Sequence, residues 1–496
     1  MLFNSFGFLL LFFPITLLGF YSIAMLQSLR LAQCWLILCS LIFHAYWKAS
    51  YTWLFILSMV INYGFGLICR VSAKRLALIG LISGIIFNLV LLAYFKYAGF
   101  LGNLVLITSG YYINVGEITL PLAISFYTFQ QIAFLVDTYR EKDKIRYSLF
   151  QYISYLAFFP HLIAGPIVKH NILIKQLSAR ALLKFKSKNV LSGITIILIG
   201  LFKKTVLADG AAIYANPIFA SVAEGAHPGM MESWLAAILF SFVIYFDFSG
   251  YSDMAIGLAR TFNVRFPENF SSPYKSRSII EFWQRWHITL SHFLRDYLYI
   301  SLGGNRKGKA RYLCNLLITM LLGGLWHGAG WNFIIWGGLH GVYLIIAHLW
   351  RNLVGQTQFV GRAAIGRVMT YAAICVAWVF FRSSSINEAT IILKGMIGMN
   401  GFMTNLKLPP GYLGNGMLSG LFFALGLLLF VNLLPNTQQF MRLFRPVLGN
   451  VTKGLNGLPG KLVWQFNAIS VFVLTMISCF AMTRMFNIQS FIYFRF

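Results

Sequence analysis

The chain has 496 residues, of which 58% are hydrophobic and only 11% charged, and its 40 Lys and Arg against 13 Asp and Glu give a formal charge of +27. A soluble globular chain carries about 25% charged residues, and the mean hydropathy here is +0.72, so a water-soluble fold and a disordered chain are both excluded. The positive charge is dilute and sits between long apolar runs, which argues against nucleic-acid binding; the composition predicts an all-α, polytopic membrane protein.

A spanning helix needs about 20 mostly apolar residues. Such runs lie near 7–27, 31–47, 51–69, 76–95, 120–137, 149–168, 190–208, 233–260, 313–325 with 331–350, 368–381, 417–434 and 466–482. They predict roughly 11 spans, the shorter runs being re-entrant or interfacial. The first run lacks a basic leader and reads as a retained helix. The six Cys lie in or beside apolar runs without a CxxC pair, so they read as small buried hydrophobes, with no disulfide framework and no metal site.

Arg30 and the Arg70–Arg75 loop fit an outside N-terminus. Further on, Pro160-His161 and Gly165-Pro166 interrupt the run 149–168 and predict a broken or re-entrant helix. The following stretch carries Lys169, Lys175, Arg180, Lys184, Lys186 and Lys188 with no acid. A second basic stretch, 263–312, holds nine Lys or Arg against Glu268, Glu281 and Asp296. Both read as cytoplasmic. They suit anchoring on anionic lipid and equally an anionic cytosolic substrate such as a phosphate-bearing thioester.

Asp247 and Asp253 fall inside the apolar run 233–260, where a charge costs about 2.5–3.5 kcal/mol. They are expected to accept hydrogen bonds from Arg or backbone groups, or to orient a His. The segment 279–299 fits an amphipathic helix, with Trp283, Trp286, His287, Leu290, Leu294 and Tyr297 on one face. Glu281, Arg285, His292, Arg295 and Asp296 fall on the other. His287 then lies beside Trp283 and Trp286, as a structural His or as a base in a shared cavity. In the Gly323-to-Trp331 segment, His327 is flanked by glycines that remove bulk, so that a substrate could approach the imidazole. A neutral imidazole suits proton abstraction from a hydroxyl; a structural hydrogen bond between helices is the alternative. Tyr493, in the aromatic segment 491–496, is either an interfacial anchor or a hydroxyl able to accept an acyl group. His161, His170, His340, His348 and His44 read as packing or interface residues, and His227 as a loop residue. No GxSxG, Walker A, HExxH or dinucleotide GxGxxG signature is present.

Taken together, the motifs resemble the membrane-bound O-acyltransferase superfamily, in particular its bacterial branch of alginate and peptidoglycan O-acetylation. The teichoic-acid D-alanyl transferases are more distant relatives. The residues that carry the likeness are Phe282-Trp283-Gln284-Arg285-Trp286-His287, Phe293 to Ile300 with Leu302-Gly303-Gly304-Asn305-Arg306, and Trp326-His327-Gly328. Phe158-Phe159-Pro160 with Ala164-Gly165-Pro166, and Phe246 to Asp253, add to it.

The resemblance implies one integral-membrane acyltransferase domain over 1–496, with an acyl-relay-like tail at 491–496. It implies His327 as the central catalytic residue, His287 as the second polar position and Tyr493 as an acyl carrier, with Arg495 departing from the expected neutral polar residue. Trp326, Trp331, Trp286 and Asp247 are expected to line the substrate tunnel. No cofactor is expected to stay bound, and acetyl-CoA is the expected donor. The expected partners are the lipid bilayer and a periplasmic O-acetyltransferase of serine-hydrolase-like type. The expected location is the bacterial inner membrane, and the expected role is O-acetylation of an extracytoplasmic polysaccharide. A lipid O-acyltransferase and a transporter without acyl chemistry are the alternatives.

Overall fold

The computed structural model describes residues 1–111, 116, 118–141, 146–354, 361–404, 416–449, 463–487 and 491. They build helices and, among the described residues, no β-strand. Nine described helices are long and apolar enough to cross a membrane: Gly7–Met25, Ala49–Cys69, Lys74–Ser109, Ser187–Ala223, Met230–Thr261, Trp331–Leu353, Ala363–Arg382, Gly416–Leu433 and Ala468–Phe486. Leu29–Ala45 is apolar but shorter. The protein is therefore a multi-pass membrane protein, as the hydropathy predicted. Its described chain divides into two compact units, Met1–Ile197 with Ala255–Pro267, and Leu198–Met254 with Glu268–Phe496.

In the first unit, small residues and buried amides join the helices, the devices that serve where lipid offers no hydrophobic drive. Gly66 and Gly84 stand where a Cβ would run into Phe134 and Leu135 of helix Ile124–Arg140. Asn62 Nδ2 donates to Gln131 Oε1 at 3.1 Å and to Asn88 Oδ1 at 3.3 Å. The run 149–168 breaks as its prolines require. Helix Leu149–Ala157 ends at Phe158, a single turn Phe159–Leu162 follows, and non-helical chain leads to His170–Leu177. His170 Nε2 donates to Asp137 Oδ2, 3.0 Å away.

In the second unit, Lys309–His327 and Trp331–Val354 form an antiparallel hairpin. A Cβ on Gly324 would meet the Phe333 carbonyl, one on Gly337 the Met320 carbonyl, and one on Gly341 the side chain of Leu317. The two backbones therefore approach as closely as glycine allows. In Ser187–Ala223 a π-helical turn, Lys203–Ala208, interrupts the regular winding.

The segment 279–299 is not one helix. It forms Ile279–Arg285, then Ile288–Phe293, then a π-turn Leu294–Tyr299. Between the first two, Trp286 is extended and His287 sits at φ +40°. The residues 269–271 cap the break from outside the helix. Ile288 N donates to Asn269 O at 2.9 Å, Ser271 N donates to Arg285 O at 2.9 Å, and Arg285 Nη1 donates to Ser271 O at 3.1 Å. Glu281 and Arg285, four residues apart on the first of these helices, form an ion pair at 2.8 Å. A wheel drawn through 279–299 cannot see the break, because the backbone groups that stabilise it come from a different segment.

Candidate active site

His287 is a non-glycine residue held in the left-handed backbone region, at φ +40°. A non-glycine residue in the left-handed region costs about 1–3 kcal/mol and persists only where its surroundings enforce it. Asn269 does so: its Oδ1 accepts from His287 Nδ1 at 3.1 Å, from Thr289 N at 3.3 Å and from Thr289 Oγ1 at 2.9 Å. Asn269 Nδ2 in turn donates to Ser252 Oγ at 3.0 Å. An amide oxygen only accepts, so His287 carries its proton on Nδ1 and presents a lone pair on Nε2. Nε2 has no hydrogen-bond partner among the described residues. Burial pushes the imidazole down to about 3, so the ring is neutral at physiological pH.

The left-handed turn also changes which rings His287 touches. The wheel placed it beside Trp283 and Trp286. Instead its ring packs edge-on to Phe248 at 4.6 Å and near-parallel to Phe270 at 6.2 Å.

His327 ends helix Lys309–His327 and is 6% exposed. Its ring lies 4.8 Å from Trp326, 5.0 Å from Trp336 and 5.5 Å from Phe381. The glycines around it serve packing rather than access, contrary to the sequence expectation. Gly324 faces the partner helix backbone, a Cβ at Gly328 would strike the Phe333 ring, and Gly323 adjoins Leu294.

The two histidines have separate neighbours, joined by a run of rings. Phe270 touches Trp286 (5.1 Å), Trp286 touches Trp378 (5.1 Å), Trp378 touches Trp336 (5.8 Å), and Trp336 touches His327. Of the expected tunnel residues, Trp326 and Trp286 belong to this buried wall. Trp331 is 50% exposed at the start of its helix, and the ring against His327 one turn later is Trp336.

Asp247 belongs elsewhere. Lys204 Nζ bridges Asp247 Oδ1 at 2.7 Å and Asp209 Oδ1 at 2.8 Å, while Lys203 Nζ meets Asp253 Oδ2 at 2.7 Å. Asp253 also accepts from Thr437 Oγ1 and Gln438 Nε2. Each aspartate thus pairs with a lysine, a partner the sequence did not lead one to expect. Both lysines leave the π-turn Lys203–Ala208, a distortion common at functional places in helices. The adjacent lysines inside an apolar run were a readable signal; nothing local marked Asn269.

Tyr493 lies outside the described residues. Phe491, two positions earlier, is buried, with its ring 5.0 Å from Lys204 Nζ and edge-on to Tyr251 at 4.8 Å.

Two histidines thus stand along one buried aromatic wall inside a polytopic helical protein. The chain belongs to the membrane-bound O-acyltransferase family, whose model matches residues 140–387. It is 40% identical over 428 residues to a peptidoglycan O-acetyltransferase of Helicobacter pylori, covering 81% of this chain and 80% of that one. To a probable alginate O-acetylase of Pseudomonas syringae it is 41% identical, covering 78% and 74%. A teichoic acid D-alanyltransferase of Bacillus subtilis is 27% identical over 45% of this chain and 58% of its own length. The protein is an O-acyltransferase of the membrane.

Proposed function

We propose that this enzyme carries acetyl groups from a cytosolic thioester, acetyl-CoA, across the bacterial inner membrane for O-acetylation of an extracytoplasmic polysaccharide. The basic stretches 169–188 and 263–312 would face the cytoplasm and draw the phosphates of the donor. His327 takes the proton from an attacking hydroxyl. The partial negative charge of the helix end on which it stands favours the imidazolium that develops. The hydroxyl attacks the thioester carbonyl, the carbon–sulfur bond breaks, and the departing thiolate takes the proton back from His327. His287, neutral and with its Nε2 lone pair presented, orients a donor group of the reacting pair.

The attacking hydroxyl in this scheme is that of Tyr493, which then holds the acetyl group as a phenyl ester. A second hydroxyl attacks that ester on the outer side, taking the acetyl and returning the proton to the tyrosyl oxygen. A periplasmic O-acetyltransferase of serine-hydrolase-like type would complete delivery.

The observation that carries this reading is the pair of buried histidines on one aromatic wall in a chain so similar to two polysaccharide O-acetylating proteins. Purified protein incubated with radiolabelled acetyl-CoA should release CoA, and His327→Ala should abolish this while preserving the melting midpoint. Mass spectrometry of the C-terminal peptide should find one acetyl group on Tyr493, and Tyr493→Phe should stop polysaccharide acetylation. Full activity in His327→Ala removes the catalytic assignment, and full acetylation with Tyr493→Phe removes the relay alone.

A further inference from the structure

His340 has no role in the scheme above, yet it is the least satisfied titratable group near His327. It is fully buried on helix Trp331–Val354, with Trp336 at 4.8 Å, Trp283 at 5.2 Å, Tyr343 at 6.0 Å and Phe282 stacked at 6.1 Å. Neither ring nitrogen has a hydrogen-bond partner among the described residues, and the indole N–H groups of Trp283 and Trp336 have none either. Buried polar groups are ordinarily paired, and each exception asks for a ligand, a water or a function. Here four such atoms belong to three mutually touching rings, one of which, Trp336, also packs on His327.

The position is informative. Gly337 faces Met320 and Gly341 faces Leu317, so along the hairpin His340 lies about level with Leu317. That is between His327 at one end of its helix and the exposed Arg306, Lys307, Lys309 and Arg311 at the other. The Trp336 ring lies 5.0 Å from that of His327 and 4.8 Å from that of His340, so the two imidazole centres are at most about 10 Å apart. A thioester entering from the basic end with its carbonyl at His327 would trail its carrier arm past this point. In a pantetheine arm two methylenes, about 4 Å, separate the sulfur from the nearest amide; with the thioester in contact with His327 at one end and a hydrogen bond of about 3 Å to His340 at the other, that amide bridges the gap.

We infer that His340, with the indole N–H groups of Trp283 and Trp336, forms a subsite for a secondary amide of the donor's pantetheine arm. A neutral imidazole offers one donor and one acceptor, matching the carbonyl and N–H of an amide, and the indoles offer further donors to the carbonyl. This rests on the reading of His327 as the acyl-transfer centre and of a CoA thioester as donor.

Calorimetric binding of CoA and of adenosine 3′,5′-bisphosphate, which lacks the arm, tests it on the full-length protein in nanodiscs. His340→Phe fills the same apolar box and removes two unsatisfied atoms, so its melting midpoint should hold or rise. Its affinity for CoA should fall at least tenfold, with that for the bisphosphate unchanged. His340→Gln, which keeps a donor and an acceptor, should recover part of the loss. CoA affinity within twofold of wild type in His340→Phe would mean that the site holds an ordered water only, and equal losses for both probes would mean a structural role; either overturns the subsite. Should His340→Phe fail to fold, unchanged CoA affinity in Trp336→Phe and Trp283→Phe together overturns it. Wild-type protein that binds no CoA refutes the donor assignment instead, and full turnover in His327→Ala refutes the catalytic one.

Discussion

Asn269 fixes the protonation of His287: its Oδ1 accepts the Nδ1 proton at 3.1 Å while also receiving two bonds from Thr289. This locks the tautomer, the ring plane and the left-handed turn in one arrangement, and it leaves Nε2 as an acceptor within the aromatic wall.

Changing Asn269 to Asp should therefore act through pH. A carboxylate beside the ring favours the imidazolium, typically by about 1–3 pKa units. His287, held near 3 by burial in the wild type, would protonate at higher pH and lose its acceptor. The rate of CoA release in Asn269→Asp should fall at a higher pH than in wild type as the solution is acidified. Superimposable pH–rate profiles would speak against Asn269 as the positioning residue.

Lys204 should prove structural as well as electrostatic. Its one ammonium group bridges Asp209 and Asp247. Removing one partner of a buried pair costs about 3–5 kcal/mol, because the other charge is left uncompensated. Lys204→Met should lower the melting midpoint and the yield of monodisperse protein, and Lys204→Met with Asp247→Asn should regain part of both. A single variant as stable as the double one would rule out this coupling.

Glu268 supplies a pH-dependent stability term. Burial raises its carboxyl from 4.5 to about 7, with Asp253 adding to the rise and a hydrogen bond with Ser271 and the charge of Arg285 opposing it. A carboxyl whose folded value exceeds its unfolded one contributes stability that is complete below pH 4.5 and lost as pH rises through about 7. Glu268→Gln should flatten the decline in melting midpoint between these values, the effect reaching at most about 3 kcal/mol on the alkaline side. An unaltered slope would show that Glu268 does not titrate in this range.

The hairpin that carries His327 depends on Gly324. Its missing Cβ is replaced by the Phe333 carbonyl and the Gly337 backbone. Gly324→Ala should push the helices apart, cost about 1–3 kcal/mol by overpacking and reduce acyl transfer through displacement of His327. Wild-type turnover and stability in this variant would mean that the hairpin accommodates the methyl group freely.

Hydropathy and motif spacing by themselves determined the helical membrane architecture, the break at Pro160 and the family. These depend on local composition, proline chemistry and short contiguous runs such as Trp326-His327-Gly328. His287 and Asp247 stood out in the sequence because an ionisable group among apolar residues is costly wherever it lies. Their surroundings were decided only by the tertiary structure. The turn at His287 is enforced by Asn269, eighteen positions earlier, and Asp253 finds Lys203 fifty positions away. Likewise the sequence could not show that both ring nitrogens of His340 lack a hydrogen-bond partner among the described residues, or that His340 lies between His327 and the basic end of the hairpin. Periodicity reports which side of a regular helix a residue occupies. It cannot report where the helix stops being regular, or which distant polar group satisfies a buried one.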